Sequence, residues 1–266
     1  MQEKNTRREF LKKGAITSAF AILSSVQAEA FSLANPGIDA KNIKFTGDST
    51  KKYVMVIDLR KCVGCQACTS SCIVENSVPQ GQSRTSVTEM EIGEFPDVRK
   101  GFLPQLCNHC DEPSCVPVCP TGATFKREDG LVVIDNKICI GCGYCENTCP
   151  YDKRFINKET KVMDKCTFCA HRLQDGLLPA CVETCVGGAR IFGDLNNKSS
   201  EVYKLISNFP VDVLQNEQGT KPQVYYIGLD NRLEKIANAT ISLDNLVQEA
   251  LQLEEKQWTT VQLGAR

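Results

Sequence analysis

Cysteine is the residue type that could do chemistry in this chain. There are 16, in four groups of four, with none left over. Group one is Cys62-x2-Cys65-x2-Cys68-x3-Cys72, and group two is Cys107-x2-Cys110-x4-Cys115-x3-Cys119. Group three is Cys139-x2-Cys142-x2-Cys145-x3-Cys149, and group four is Cys166-x2-Cys169-x11-Cys181-x3-Cys185. Thiolates at such spacing suit a disulfide framework, zinc or an iron–sulfur cluster. Cysteines only two residues apart are badly placed for a web of long-range disulfides. Zinc uses Cys-x2-Cys pairs, but does not explain Cys-x3-Cys closing every group.

Groups one and three match the bacterial ferredoxin run, and the other two widen one gap. In that run the first three cysteines grip one cluster, and the fourth starts the next element and ligates the neighbouring cluster. At four thiolates per cluster the chain predicts four [4Fe–4S] clusters as its cofactors. Gly64, Gly141 and Gly143 sit between ligands, where backbone amides must turn towards sulfur. Pro120 and Pro150 follow the last cysteine of groups two and three, whereas Ile73 and Val186 follow it in groups one and four. That turn chemistry pairs two with three and one with four. His109 and His171 lie beside ligands, but every cluster already has four thiolates, so they read as loop or supporting residues. Lys153, Arg154, Lys165 and Arg172 read either as cations that tune a cluster or as solvated surface charge.

Other features bound the function. With 31 basic and 32 acidic residues the net charge is −1, which argues against a nucleic-acid partner. Four clusters, each formally −2, would make the loaded protein markedly acidic. At 42% hydrophobic and 24% charged the composition is globular. No apolar run reaches the roughly 18 residues of a membrane span, so the chain is expected to have none of its own. Residues 1–30 carry Arg7-Arg8, Phe10-Leu11-Lys12, a weakly apolar stretch and Ala28-Glu29-Ala30. This order resembles a twin-arginine (Tat) export signal with cleavage after Ala30. It predicts a protein exported already folded around its cofactor.

The elements that must position the thiols repeat. Val56–Cys65 matches Val133–Cys142 at an offset of 77, and Cys115–Ala123 matches Cys181–Ala189 at an offset of 66. The expected fold is α+β: duplicated bacterial-ferredoxin-like (βαβ) domains with loop insertions and a C-terminal extension. Strands are expected at Tyr53–Ile57, Leu131–Ile134, Arg84–Met90 and Gln223–Gly228. Helices are expected within Ala170–Ala180, ending near Gly176, at Ser200–Asn208 behind a Ser cap, and at Leu243–Leu253. Residues 73–106 otherwise read as loop. The domain reading is signal 1–30, linker 31–52, double ferredoxin-like domain 53–195 and extension 196–266, the last a surface for a partner or for the domain itself.

Residues 53–195 resemble the four-cluster electron-transfer subunits of the complex iron–sulfur molybdoenzyme family. The likeness is greatest to tetrathionate reductase beta subunits. It is carried by Val56–Gln66, Leu106–Asp111, Asp164–Leu173, Gly176–Glu183 and Gly187–Ile191, and continues at Tyr226–Asp230. The resemblance implies four ligand sets. Cys62, Cys65, Cys68 and Cys185 would hold the cluster nearest a molybdopterin catalytic subunit. Cys72, Cys166, Cys169 and Cys181 would hold the next, and Cys107, Cys110, Cys115 and Cys149 the third. Cys119, Cys139, Cys142 and Cys145 would hold the one nearest an integral membrane quinol-oxidising subunit. It also implies no catalytic residue in this chain, a peripheral place on the periplasmic side of the cytoplasmic membrane, and electrons flowing from quinol to tetrathionate. Polysulfide, thiosulfate or nitrite as acceptor, or a freestanding polyferredoxin, are the alternatives.

Overall fold

The strand at the centre of the fold is also its most apolar. β1 (Tyr53–Asp58) reads Tyr-Val-Met-Val-Ile-Asp, and every residue after Tyr53 is buried. A strand covered on both faces needs such an unbroken apolar run. The computed structural model describes residues 46–230, so the export signal and the helix expected at Leu243–Leu253 lie outside the described residues. β1 pairs antiparallel with β8 (Arg190–Asp194), Tyr53 opposite Asp194, and parallel with β9 (Val224–Ile227), Met55 opposite Val224.

The two faces of this sheet do different work. Val54, Val56, Ile191 and Ile227 point to one side, where Val202 of α5 (Glu201–Asn208) covers them. Ser200 caps that helix, accepting a hydrogen bond from the Tyr203 amide at 3.3 Å, as the sequence predicts. Met55, Ile57, Phe192 and Tyr226 point to the other side, into the core that contains the cysteine loops.

The remaining strands form hairpins. β2 (Thr85–Ile92) and β3 (Arg99–Leu106) pair over their full length, Thr85 opposite Leu106 and Ile92 opposite Arg99. The sequence predicts loops with short strands such as Arg84–Met90 here, because glycines and prolines, Gly101 and Pro104 among them, punctuate the segment. Both are tolerated because β3 has a neighbour on one side only. β4 (Thr124–Lys126) pairs antiparallel with β5 (Val132–Ile134), and β6 (Phe155–Ile156) with β7 (Met163–Asp164).

The helices are short. α1 (Ala67–Glu75) carries Cys68 and Cys72, α2 (Tyr144–Asn147) carries Cys145, α3 (Ala170–Gln174) follows Cys169, and α4 (Ala180–Glu183) carries Cys181. Thus in group one the helix begins before the third cysteine, not at the fourth as the sequence pattern predicts. Four- and five-residue helices are too short to persist alone, so tertiary contacts hold α2, α3 and α4. The fold is α+β, as expected.

Candidate metal centres

Strand pairing decides which groups meet. β1 leads into group one and β8 leaves group four, and these two strands are neighbours. β4 leaves group two and β5 leads into group three, and these also pair. The end of group four thus lies beside the start of group one, and the end of group two beside the start of group three.

Cys62, Cys65 and Cys68 line one space together with Cys185 of group four. The walls include Val87 and Pro104 of the long hairpin and Arg190 of β8. Gly64 turns the loop with φ 69°. The Ala189 amide donates to the Cys185 sulfur at 3.2 Å. Burial raises the pKa of the Cys62 thiol, opposed by a hydrogen bond from the Gly64 amide.

Cys72, Cys166, Cys169 and Cys181 line a second space, walled by Asn76, Arg84, Leu106 and Phe168. Asn76 Nδ2 donates to Cys72 at 3.5 Å, the Phe168 amide to Cys166 at 3.4 Å, and Arg190 Nη1 to Cys181 at 3.7 Å. Burial, reinforced by the neighbouring sulfurs, pushes Cys72 up to about 12 and Cys169 up to about 11. Cys166, fully buried, is raised well above the ordinary thiol range for the same reasons.

Cys107, Cys110, Cys115 and Cys149 form a third set. Burial pushes Cys110 up to about 12, and the other three sulfurs are near enough to push in the same direction. Arg154 Nη2 donates to Cys115 at 2.9 Å. Burial opposes the charge on Arg154, but Cys115, Cys107, Cys145 and Cys149 outweigh it and raise its pKa.

Around Cys119, a member of the fourth expected set, the structure shows backbone contacts. Cys119 accepts the Thr124 amide at 3.4 Å, and the Asp135 amide donates to Ala123 at 2.8 Å, which brings the Cys119 turn beside the entry to group three. Cys139 and Cys145 pack with Val132 and Met163. Cys142 is exposed, and so is its counterpart Cys65.

All 16 cysteines are free thiols. Among the described residues no three His, Cys, Asp or Glu side chains converge closely enough to hold one metal ion. Thiols that ring a space, with amide and guanidinium donors aimed at them, suit a polynuclear cluster better than a lone zinc. The donor set fits the expected cofactor.

Depth separates the two readings of the flanking cations. Lys165 is fully buried and donates from Nζ to the carbonyls of Val132 and Cys166. Arg154 is 3% exposed. Neither is surface charge. Lys153 is half-buried, its pKa lowered by burial. Arg172 pairs with Glu75 at 3.0 Å and with Glu183. His171 is bound to Glu75 at 2.8 Å, and His109 accepts the Val132 amide on Nδ1 at 3.1 Å. Burial, with Lys165 and Arg154 nearby, holds His109 well below the usual imidazole range. Sequence reasoning passed over Asn76, Arg84 and Arg190. The signal for Arg190 was a lone cation inside the apolar run Ala189-Arg190-Ile191-Phe192.

A 4Fe-4S dicluster domain matches residues 98–195. The tetrathionate reductase beta subunit of Salmonella typhimurium is 48% identical over 231 residues, which covers 85% of this chain and 90% of the relative. The chain belongs to the family of tetrathionate reductase beta subunits and their iron–sulfur relatives. The selenate reductase beta subunit of Mesobacillus selenatarsenatis is 37% identical, covering 85% of this chain and 98% of the relative. Protein NrfC of Escherichia coli K12 is 40% identical, covering 84% and 95%. Two of these relatives are named as subunits of reductases. Among the described residues no helix is long and apolar enough to cross a membrane.

Proposed function

We propose that this chain is a non-catalytic subunit that relays electrons through four [4Fe–4S] clusters. The observation that carries the reading is the joining of Cys62, Cys65 and Cys68 with Cys185 around one space, across more than a hundred residues of sequence. The ligand sets would be Cys62, Cys65, Cys68 and Cys185; Cys72, Cys166, Cys169 and Cys181; Cys107, Cys110, Cys115 and Cys149; and Cys119, Cys139, Cys142 and Cys145. The antiparallel pairs β1–β8 and β4–β5 support a duplicated ferredoxin-like core. When bound, the clusters supply one-electron chemistry. The protein's part is to hold the thiolates, donate to sulfur and exclude water.

Electrons would enter from an integral membrane quinol-oxidising subunit beside Cys142 and leave beside Cys65 to a molybdopterin catalytic subunit that reduces tetrathionate to thiosulfate. Exposed apolar residues at both places support contact surfaces: Val63 and Val186 near Cys65, and Ile138, Ile140 and Tyr144 near Cys142. The Tat-like N-terminus supports a periplasmic, membrane-peripheral location. The selenate reductase relative favours a second reading, in which the large subunit alone sets the acceptor.

Elemental analysis and partner capture test the proposal. The loaded protein should contain about 16 iron atoms and about 16 labile sulfides per chain. It should co-purify with a molybdopterin-containing subunit, and tetrathionate should reoxidise it only in that complex. Zinc without labile sulfide, or a stable lone monomer in the native membrane extract, would overturn it.

A further inference from the structure

The four cysteine loops differ at one position. The residue before the second cysteine is Gly64 in group one, His109 in group two, Gly141 in group three and Phe168 in group four. All four adopt the left-handed backbone conformation, with φ of 69°, 43°, 66° and 51°. Glycine does so freely, whereas a bulky side chain there is an outlier. Groups two and four keep a ring at a place where groups one and three have none.

The reason lies in where each side chain would go. A Cβ at position 64 would lie 2.3 Å from the Phe102 ring, and one at 141 would lie 2.3 Å from the Lys161 carbonyl oxygen. The rings of His109 and Phe168 instead meet each other, stacked with centroids 3.9 Å apart and planes 24° apart. Both side chains are fully buried. His109 is flanked by Cys107 and Cys110. Phe168 is flanked by Cys166 and Cys169 and lines the space they share with Cys72 and Cys181. The stack is fixed from both sides. The Val132 amide holds His109 Nδ1 at 3.1 Å, and the edge of Phe192 meets Phe168 at 5.2 Å.

We propose that the stacked His109–Phe168 pair is the bridge for electrons between the centre held by group two and the centre held by group four. The inference rests on the four-cluster reading above. The two rings are positioning residues: they fill the junction with close-packed atoms and fix the separation of the two loops. One electron leaves a reduced cluster and enters its oxidised neighbour. No bond forms, no proton moves, and the rings keep their own electrons.

The test uses the full-length loaded protein, a flash-activated flavin photoreductant and freeze-quench electron paramagnetic resonance. His109→Leu and Phe168→Leu should retain about 16 iron atoms and the wild-type midpoint potentials, yet lose the fast phase of electron redistribution between the two halves. His109→Phe and Phe168→Tyr, which keep a ring, should retain that phase. An unchanged fast phase in the leucine variants would overturn the proposal. So would loss of iron from both, because the pair would then be a folding element only. An iron content far below 16 in the wild type would instead refute the four-cluster reading, whatever the variants do.

Discussion

Arg154 donates from Nη2 to the sulfur of Cys115 at 2.9 Å, the shortest nitrogen–sulfur contact among the described residues. The guanidinium is buried, so water does little to screen its charge. A fixed cation beside a metal–sulfur centre stabilises the reduced, more negative state. Arg154→Met should therefore leave the thiol set in place and lower the midpoint potential of that centre, by on the order of 100 mV. A potentiometric titration followed by electron paramagnetic resonance reads this directly. An unshifted potential would show that the arginine is structural.

Cys68 and Cys72 stand one helical turn apart on α1, yet they line different spaces. Cys68 joins Cys62, Cys65 and Cys185, whereas Cys72 joins Cys166, Cys169 and Cys181. Cys68→Ser and Cys185→Ser should perturb the same resonance signal despite their distance in sequence. Cys72→Ser should perturb a different one, shared with Cys181→Ser. A common signal for Cys68→Ser and Cys72→Ser would refute the division of thiols between groups.

The cysteine pattern announced the centres because metal ligation constrains sequence locally: three residues on one tight loop must all be thiols. Pro120 and Pro150 suggested which groups belong together; the strands that flank those groups pair as β1–β8 and β4–β5. What the sequence concealed depends on distant partners. Pro104 looked like a loop residue until β3 proved to pair on one side only. β9 lies parallel to β1 across more than 160 residues of chain, and no local pattern marks that. For Lys165 and Arg154 the sequence leaves a tuning cation and surface charge equally open, because a cation's burial is decided by the sulfurs it meets, not by its neighbours in sequence.

Removing the metal should give a pH dependence of known sign. Burial raises Cys72 and Cys110 to about 12 and Cys169 to about 11, against about 8.5 for a thiol in an unfolded chain. A group raised on folding contributes its stability in full below the unfolded value and loses it as the pH passes through the folded value. The iron-free protein should therefore lose stability between about pH 9 and about pH 12. The loaded protein should show the opposite sensitivity, because acid returns protons to ligating thiolates and releases the metal. Urea titrations of the iron-free chain on both sides of pH 9 provide the check. Equal midpoints would contradict the burial argument.

Gly64 lies directly beneath the ring of Phe102, so group one owes its loop to a contact with the β2–β3 hairpin. Two separate effects oppose a side chain at this position. The backbone conformation, φ 69°, costs a non-glycine residue roughly 1–2 kcal/mol. The added Cβ would also lie 2.3 Å from the Phe102 ring, so the loop or the hairpin must move. Gln66 Nε2 holds the same loop to the Val87 carbonyl at 2.8 Å, which limits how far it can shift. Gly64→Ala should therefore cost more than the backbone term alone and selectively deplete the centre of Cys62, Cys65, Cys68 and Cys185. Adding Phe102→Ala removes the clash but not the backbone cost, so the double variant should regain part of the lost iron, and not all of it. Gly141→Ala meets a backbone oxygen of Lys161 instead, and no side-chain truncation should rescue it. Full recovery in the Gly64→Ala, Phe102→Ala pair would assign the whole effect to sterics. No recovery would assign it to the backbone. Iron analysis and denaturant midpoints of the four proteins separate these outcomes.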